Sequence, residues 1–170
     1  MPRTVSAAVP LAMIFALAAC KEEPAPAPVE EAPILLTAGE WQLDRTQTAY
    51  NTPTVTAQEY AAHVGKKSSE TICLAVDKDG KPDADALAGT EGSDCTYKDV
   101  VVRKGRFIAT LACKAGEGTS EISVEGNYKP DSLTFGIAMT KSVNGSPVLS
   151  TTHDLWGKRL GECKATEATK

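Results

Sequence analysis

Histidine occurs only twice in the 170 residues, as His63 and His153, so no catalytic or metal centre can be built from a histidine cluster. No two of the five cysteines stand in a C-x-x-C pair, the spacing that zinc ribbons and thioredoxin-type redox sites use. The motifs G-x-S-x-G and H-E-x-x-H are missing, as is a glycine-rich phosphate-cradling loop ahead of a helix. Aromatic residues make up 5% of the chain, too few for a stacking platform that reads sugars or bases. Lysine and arginine are nowhere concentrated and the net charge is −4, which excludes a nucleic-acid partner. No apolar run is long enough for a permanent membrane-spanning helix, and the length leaves no room for a large multidomain enzyme. A hydrophobic fraction of 42% nevertheless supplies a compact core.

The apolar run that is present lies at the beginning. Residues 1–20 read MPRTVSAAVPLAMIFALAAC, with Arg3 ahead of an apolar stretch from Val5 to Leu17 and then small residues before Cys20. The segment Leu17-Ala18-Ala19-Cys20 resembles the lipobox of bacterial lipoprotein signal peptides. That resemblance implies a diacylglyceryl group on the Cys20 sulfur, cleavage before it, and acylation of the new amino terminus. Each buried methylene contributes about 0.8 kcal/mol, so two or three chains tie a protein to a bilayer almost permanently. Lys21 stands where an inner-membrane retention Asp would be, which favours the outer membrane. The following KEEPAPAPVEEAP has no apolar period and reads as an extended, solvated tether. The expected organisation is a signal peptide over 1–19 and a lipid-anchor Cys with tether over 20–36. A β domain over 37–163 and a polar tail over 164–170 complete it.

With Cys20 given to lipid, Cys73, Cys95, Cys113 and Cys163 remain. An even number in an exported domain predicts two disulfides, with three connectivities. Residues 96–102 and 106–112 flank Arg103-Lys104-Gly105, which reads as a tight hairpin turn. Folding about that turn brings Cys95 opposite Cys113 and leaves Cys73 for Cys163. The pairing of 73 with 95 and 113 with 163 stays open.

Alternation with period two marks the strands. Ile122, Val124 and Tyr128 share one face, as do Leu133, Phe135, Ile137 and Met139, and Phe107, Ala109, Leu111 and Cys113. Turn chemistry follows at 129–132 and at Val143-Asn144-Gly145-Ser146. Further strands are expected near 40–46, 69–76 and 147–156. Two short helices are expected at 56–64, where Thr56 and Glu59 form a capping box, and at 82–88. The fold class is mainly β: an antiparallel meander of about seven strands, as a curled sheet or small barrel. Pairing of the first and last strands would bring Trp41 and Trp156 to one seam and remove two exposed edges.

Gly39-Glu40-Trp41, Thr71-Ile72-Cys73-Leu74, Cys95, Leu111-Ala112-Cys113 and the closing Gly157-Lys158-Arg159-Leu160-Gly161-Glu162-Cys163 recur in this order in a bacterial family. Over 39–163 the chain resembles "domain of unknown function 3617". The resemblance implies a β-rich domain with four cysteines behind a signal peptide or lipobox, and no particular activity.

Candidate chemistry is sparse. His153 neighbours Asp154, but adjacent strand residues point to opposite faces and do not meet. The run from Asp77 to Asp85 offers Asp77, Asp79 and Asp83 at calcium-loop positions when aligned on Gly80. The first and last ligands are then Ala75 and Ala86, and Pro82 interrupts, so the run reads as a solvated turn. Phe135 and Met139 either line an apolar cavity or fill the core. No metal or cofactor is expected. The favoured role is a non-enzymatic binding or interaction module, its partner an apolar small ligand or an envelope protein. A hydrolase would instead show two carboxyls, or His153 with an acid, converging in a cleft. A purely structural envelope protein would show a filled core and no pocket.

Overall fold

The structure is a computed structural model and describes residues 33–164. The expected signal peptide, Cys20 and the tether through residue 32 lie outside the described residues, as does the tail from residue 165.

Seven antiparallel strands form one sheet: β1 (Gly39–Asn51), β2 (Lys67–Leu74), β3 (Ser93–Arg103), β4 (Arg106–Ala115), β5 (Gly118–Lys129), β6 (Ser132–Val143) and β7 (Ser146–Gly161). Helix α1 (Ala57–His63) lies between β1 and β2, and α2 (Ala84–Ala88) between β2 and β3. The expected alternation is present. Phe107, Leu111, Ile122, Val124, Phe135 and Ile137 are buried on one face, while their neighbours in sequence face solvent. The hairpins at Lys104-Gly105 and Asn144-Gly145 have positive φ at both central residues, the twist that two-residue turns need. Thr56 and Glu59 form the expected capping box at the start of α1.

The strand order is β2-β1-β7-β6-β5-β4-β3. First and last strands do pair, with Leu43 opposite Gly157 and Arg45 opposite Leu155. The pairing does not close the sheet, because β2 lies on the far side of β1 and leaves β2 and β3 as free edges. Of the two expected forms, curled sheet or small barrel, the open sheet is the one present. Trp41 and Trp156 both sit at the β1–β7 seam but on opposite faces. Trp156 lies opposite Asp44, one residue out of phase with Trp41 and Leu43. Trp41 is therefore fully buried while Trp156 is exposed.

Because β2 and β3 are opposite edges, the connection between them must cross the sheet. Residues 75–92 form this strap, and Pro82, Ala84, Leu87 and Ala88 are buried along it against the apolar face. Its polar fastenings are specific. Arg45 donates to the carbonyls of Ala86 at 2.8 Å and Leu87 at 3.1 Å. The Tyr97 hydroxyl donates to the Pro82 carbonyl at 2.7 Å, and the Cys95 amide donates to the Asp85 carboxylate at 2.7 Å. At Gly89 the backbone has φ 58°, and an added Cβ would stand 3.0 Å from the Arg45 guanidinium. The residues before β1 cover the other end of the core. There Leu36 is buried, Trp41 Nε1 donates to the Thr37 carbonyl, and the Tyr128 hydroxyl donates to the Ile34 carbonyl.

Cys95 and Cys113 stand at disulfide distance between β3 and β4, and Cys73 and Cys163 between β2 and the end of β7. The alternative connectivity is not the one present. Each bridge ties an edge strand inward, where an untied edge would fray or pair with another chain. The bridges span 90 and 18 residues, for which loop-closure entropy predicts stabilisation of about 4.6 and about 3.2 kcal/mol. In urea denaturation, the double variant Cys73→Ala/Cys163→Ala should therefore lose more stability than Cys95→Ala/Cys113→Ala. Leu87→Ala should cost about 2–5 kcal/mol, because it truncates the strap's largest fully buried side chain.

Candidate functional site

At the end of the strap that leads into β3, the inner face of the sheet changes from apolar to polar. The alternation that buries Leu43 and Leu155 also turns Arg45 on β1, and Thr151 and His153 on β7, toward that face. Glu91, from the last turn of the strap, comes down beside them. Its Oε1 lies 3.6 Å from His153 Nε2, beyond hydrogen-bond reach, with both side chains largely covered. The Ser120 hydroxyl donates to the Glu91 carbonyl at 3.2 Å and fixes the backbone there. Arg45 Nε lies 3.6 Å from Glu70 Oε1 on β2.

Arg45, Lys66, Lys67, Thr90, Glu91 and His153 contribute to the wall of an open concavity of about 240 Å³. A second, of about 290 Å³, shares Thr90 and Glu91 and reaches Lys114, Lys141 and Met139. Glu91 thus stands between the two. Arg45 Nε, Thr151 Oγ1 and His153 Nε2 are buried without a hydrogen-bond partner among the described residues. Such atoms cost about 1–3 kcal/mol each when left unpaired.

Burial pulls the His153 imidazole below its ordinary 6.5; Glu91 raises it and Arg45 lowers it again, and the net direction is down. Burial also lowers the Arg45 guanidinium, against the opposing pull of Glu70 and Glu91. The site therefore holds a neutral imidazole and a buried cation at neutral pH. A His153–Glu91 pair closing to hydrogen-bond distance can exchange a proton, and the free Arg45 Nε–H can hold negative charge.

The other residues singled out from sequence fall elsewhere. His63 stacks on Tyr50 with ring centroids 3.8 Å apart, which fastens α1 to β1. Asp154 lies opposite Gly136 and points away from His153. The Asp77 carboxylate accepts from the Asp79 and Lys81 amides and closes its own loop, while Asp83 caps α2. Among the described residues no group of three or more His, Cys, Asp or Glu is placed to hold a metal ion. Phe135 stacks on Phe107 in the filled core, and Met139 is buried beside them. Sequence reasoning missed Arg45, Glu91 and Thr151. Arg45 carried a readable signal, as a charged residue in phase with Trp41 and Leu43; Glu91 carried none.

These features define a class: an open seven-stranded antiparallel β domain with a strap across one face, disulfides at both edges, and a polar pocket where the strap meets β3. Residues 36–163 match the family model described as "Protein of unknown function (DUF3617)", and the chain belongs to that family. No curated protein and no solved structure matches it.

Two measurements check this geometry. Unfolded His153 binds a proton near pH 6.5, whereas the folded residue resists it, so its contribution to stability is complete above that pH. The contribution declines as pH falls from 6.5 toward the lower folded value. The urea midpoint should fall between about pH 7 and about pH 5, and His153→Gln should flatten that fall. Arg45→Met should lose about 2–3 kcal/mol at neutral pH, because two helix carbonyls lose a charged donor.

Proposed function

We propose that the protein is a lipid-anchored, periplasm-facing envelope protein, held at the outer membrane in preference to the inner, that works as a non-enzymatic binding module. The observation that carries this reading is Leu17-Ala18-Ala19-Cys20 followed directly by a Pro/Ala/Glu tether. Two cysteine pairs at disulfide distance support an oxidising compartment. The apolar face is occupied by its own side chains and the strap, so a partner engages the surface. The polar pocket at Arg45, Glu91 and His153 is the part of that surface with unmet bonding capacity. A hydrolytic reading is second. It is favoured by the approach of Glu91 to His153 and would give measurable turnover that His153→Gln abolishes.

The anchor is tested by metabolic labelling with radioactive palmitate and by fractionation. The native chain should carry label and sediment with membranes. Cys20→Ser should lose the label and leave the membrane fraction. An unlabelled native chain, or a Cys20→Ser variant that fractionates unchanged, would overturn the reading.

A further inference from the structure

We infer that the pocket between β1, β7 and the end of the strap binds a small oxyanion, a phosphate or a carboxylate, through Arg45, His153, Lys66 and Lys67. The inference rests on the binding-module reading and deepens it by naming the ligand's chemistry.

The bonding inventory is the first support. Arg45 Nε carries a hydrogen whatever the pH of interest, and it has no acceptor among the described residues. His153 Nε2 is the second unpartnered nitrogen, in a side chain that is 12% exposed. An imidazole carrying its proton there donates too. One buried donor, Arg45 Nε, lacks an acceptor, and His153 Nε2 is a second whenever that nitrogen carries the proton; a carboxylate or phosphate oxygen is an acceptor with several lone pairs. Neither nearby glutamate serves, since Glu70 and Glu91 both stop at 3.6 Å.

Charge is the second support. Arg45, Lys66 and Lys67 outnumber Glu91 in the wall of the concavity, although the whole chain is acidic with net charge −4. Neither lysine forms an ion pair among the described residues, while Lys81, Lys98 and Lys114 all do. The backbone at Lys66 is also held in place. The Gln47 amide donates to the Lys66 carbonyl at 2.9 Å, the Gly65 amide donates to the Gln47 carbonyl at 2.7 Å, and Gln47 lies opposite His153. This ladder holds the Lys66 backbone next to Gln47, and so beside His153, at the wall of the concavity. Size is the third support. About 240 Å³ suits a tetrahedral or short-chain anion and is too small for a folded partner's side-chain cluster.

The test is isothermal titration of the purified mature chain, in one arm with sodium phosphate and in another with sodium acetate. Sodium chloride at matched ionic strength is the reference, and the His153 ring proton is followed by NMR in parallel. Saturable heat and a shift of the His153 signal with either oxyanion, absent with chloride, are expected. A response to phosphate alone selects phosphate chemistry, and a response to acetate alone or to both selects carboxylate recognition. Lys66→Ala/Lys67→Ala should weaken binding about tenfold, and because both lysines are exposed this variant retains the fold. Responses to both oxyanions that match chloride would overturn the inference. So would binding that the double variant leaves unchanged. Either failure would leave the lipid anchor standing, because palmitate labelling reads that separately.

Discussion

The connection from β2 to β3 joins opposite edges of a single sheet, and that one constraint organises the domain. A chain that must cross an apolar face can stay there only if it buries side chains and satisfies its own backbone. Leu87, Ala84 and Ala88 do the first, and Arg45 does much of the second by reaching from β1 to the carbonyls of Ala86 and Leu87. A guanidinium at this depth is costly to desolvate, and its hydrogen bonds to the helix end are what make the position tolerable. Arg45 therefore links the sheet's interior to the strap, and the strap's last turn delivers Glu91 to His153. The pocket is thus a by-product of how the core is covered.

Two covalent ties act on the places where this arrangement is weakest. An open sheet has two edges, and here each edge strand is bridged inward, β3 to β4 and β2 to the end of β7. The bridges therefore do for the edges what closure does in a barrel. The strap is also flanked by them, since it begins just after Cys73 and ends just before Cys95.

Much of the fold was legible in the sequence because strand periodicity and turn chemistry are local. The buried alternations on β4, β5 and β6, the turns at Lys104-Gly105 and Asn144-Gly145, and the Thr56–Glu59 capping box can each be read within a dozen residues. The pairing of Cys95 with Cys113 followed from one hairpin. Strand neighbours were another matter. Alternation assigns Trp41 and Leu43 to a face but says nothing about β2 lying outside β1, so the choice between open sheet and barrel was not legible. β1 also runs on to Asn51 through a polar stretch, held by its ladder with β7 past a register shift between Gln47 and Ala49. The pocket was least legible. His153 and Glu91 are joined only by the path of the strap, and no local pattern encodes that path.

The ladder that pairs Glu40 with Gly161 places the chain's entry into the sheet beside its exit, and the Cys73–Cys163 bridge holds that end together. Topologically, the domain is close to a ring. A short linker could join entry to exit and the backbone be reopened at the Asn144-Gly145 turn, giving a circularly permuted polypeptide with every ladder intact. By the same token the domain could serve as a guest spliced into a loop of another protein, since its two ends require almost no separation in the host.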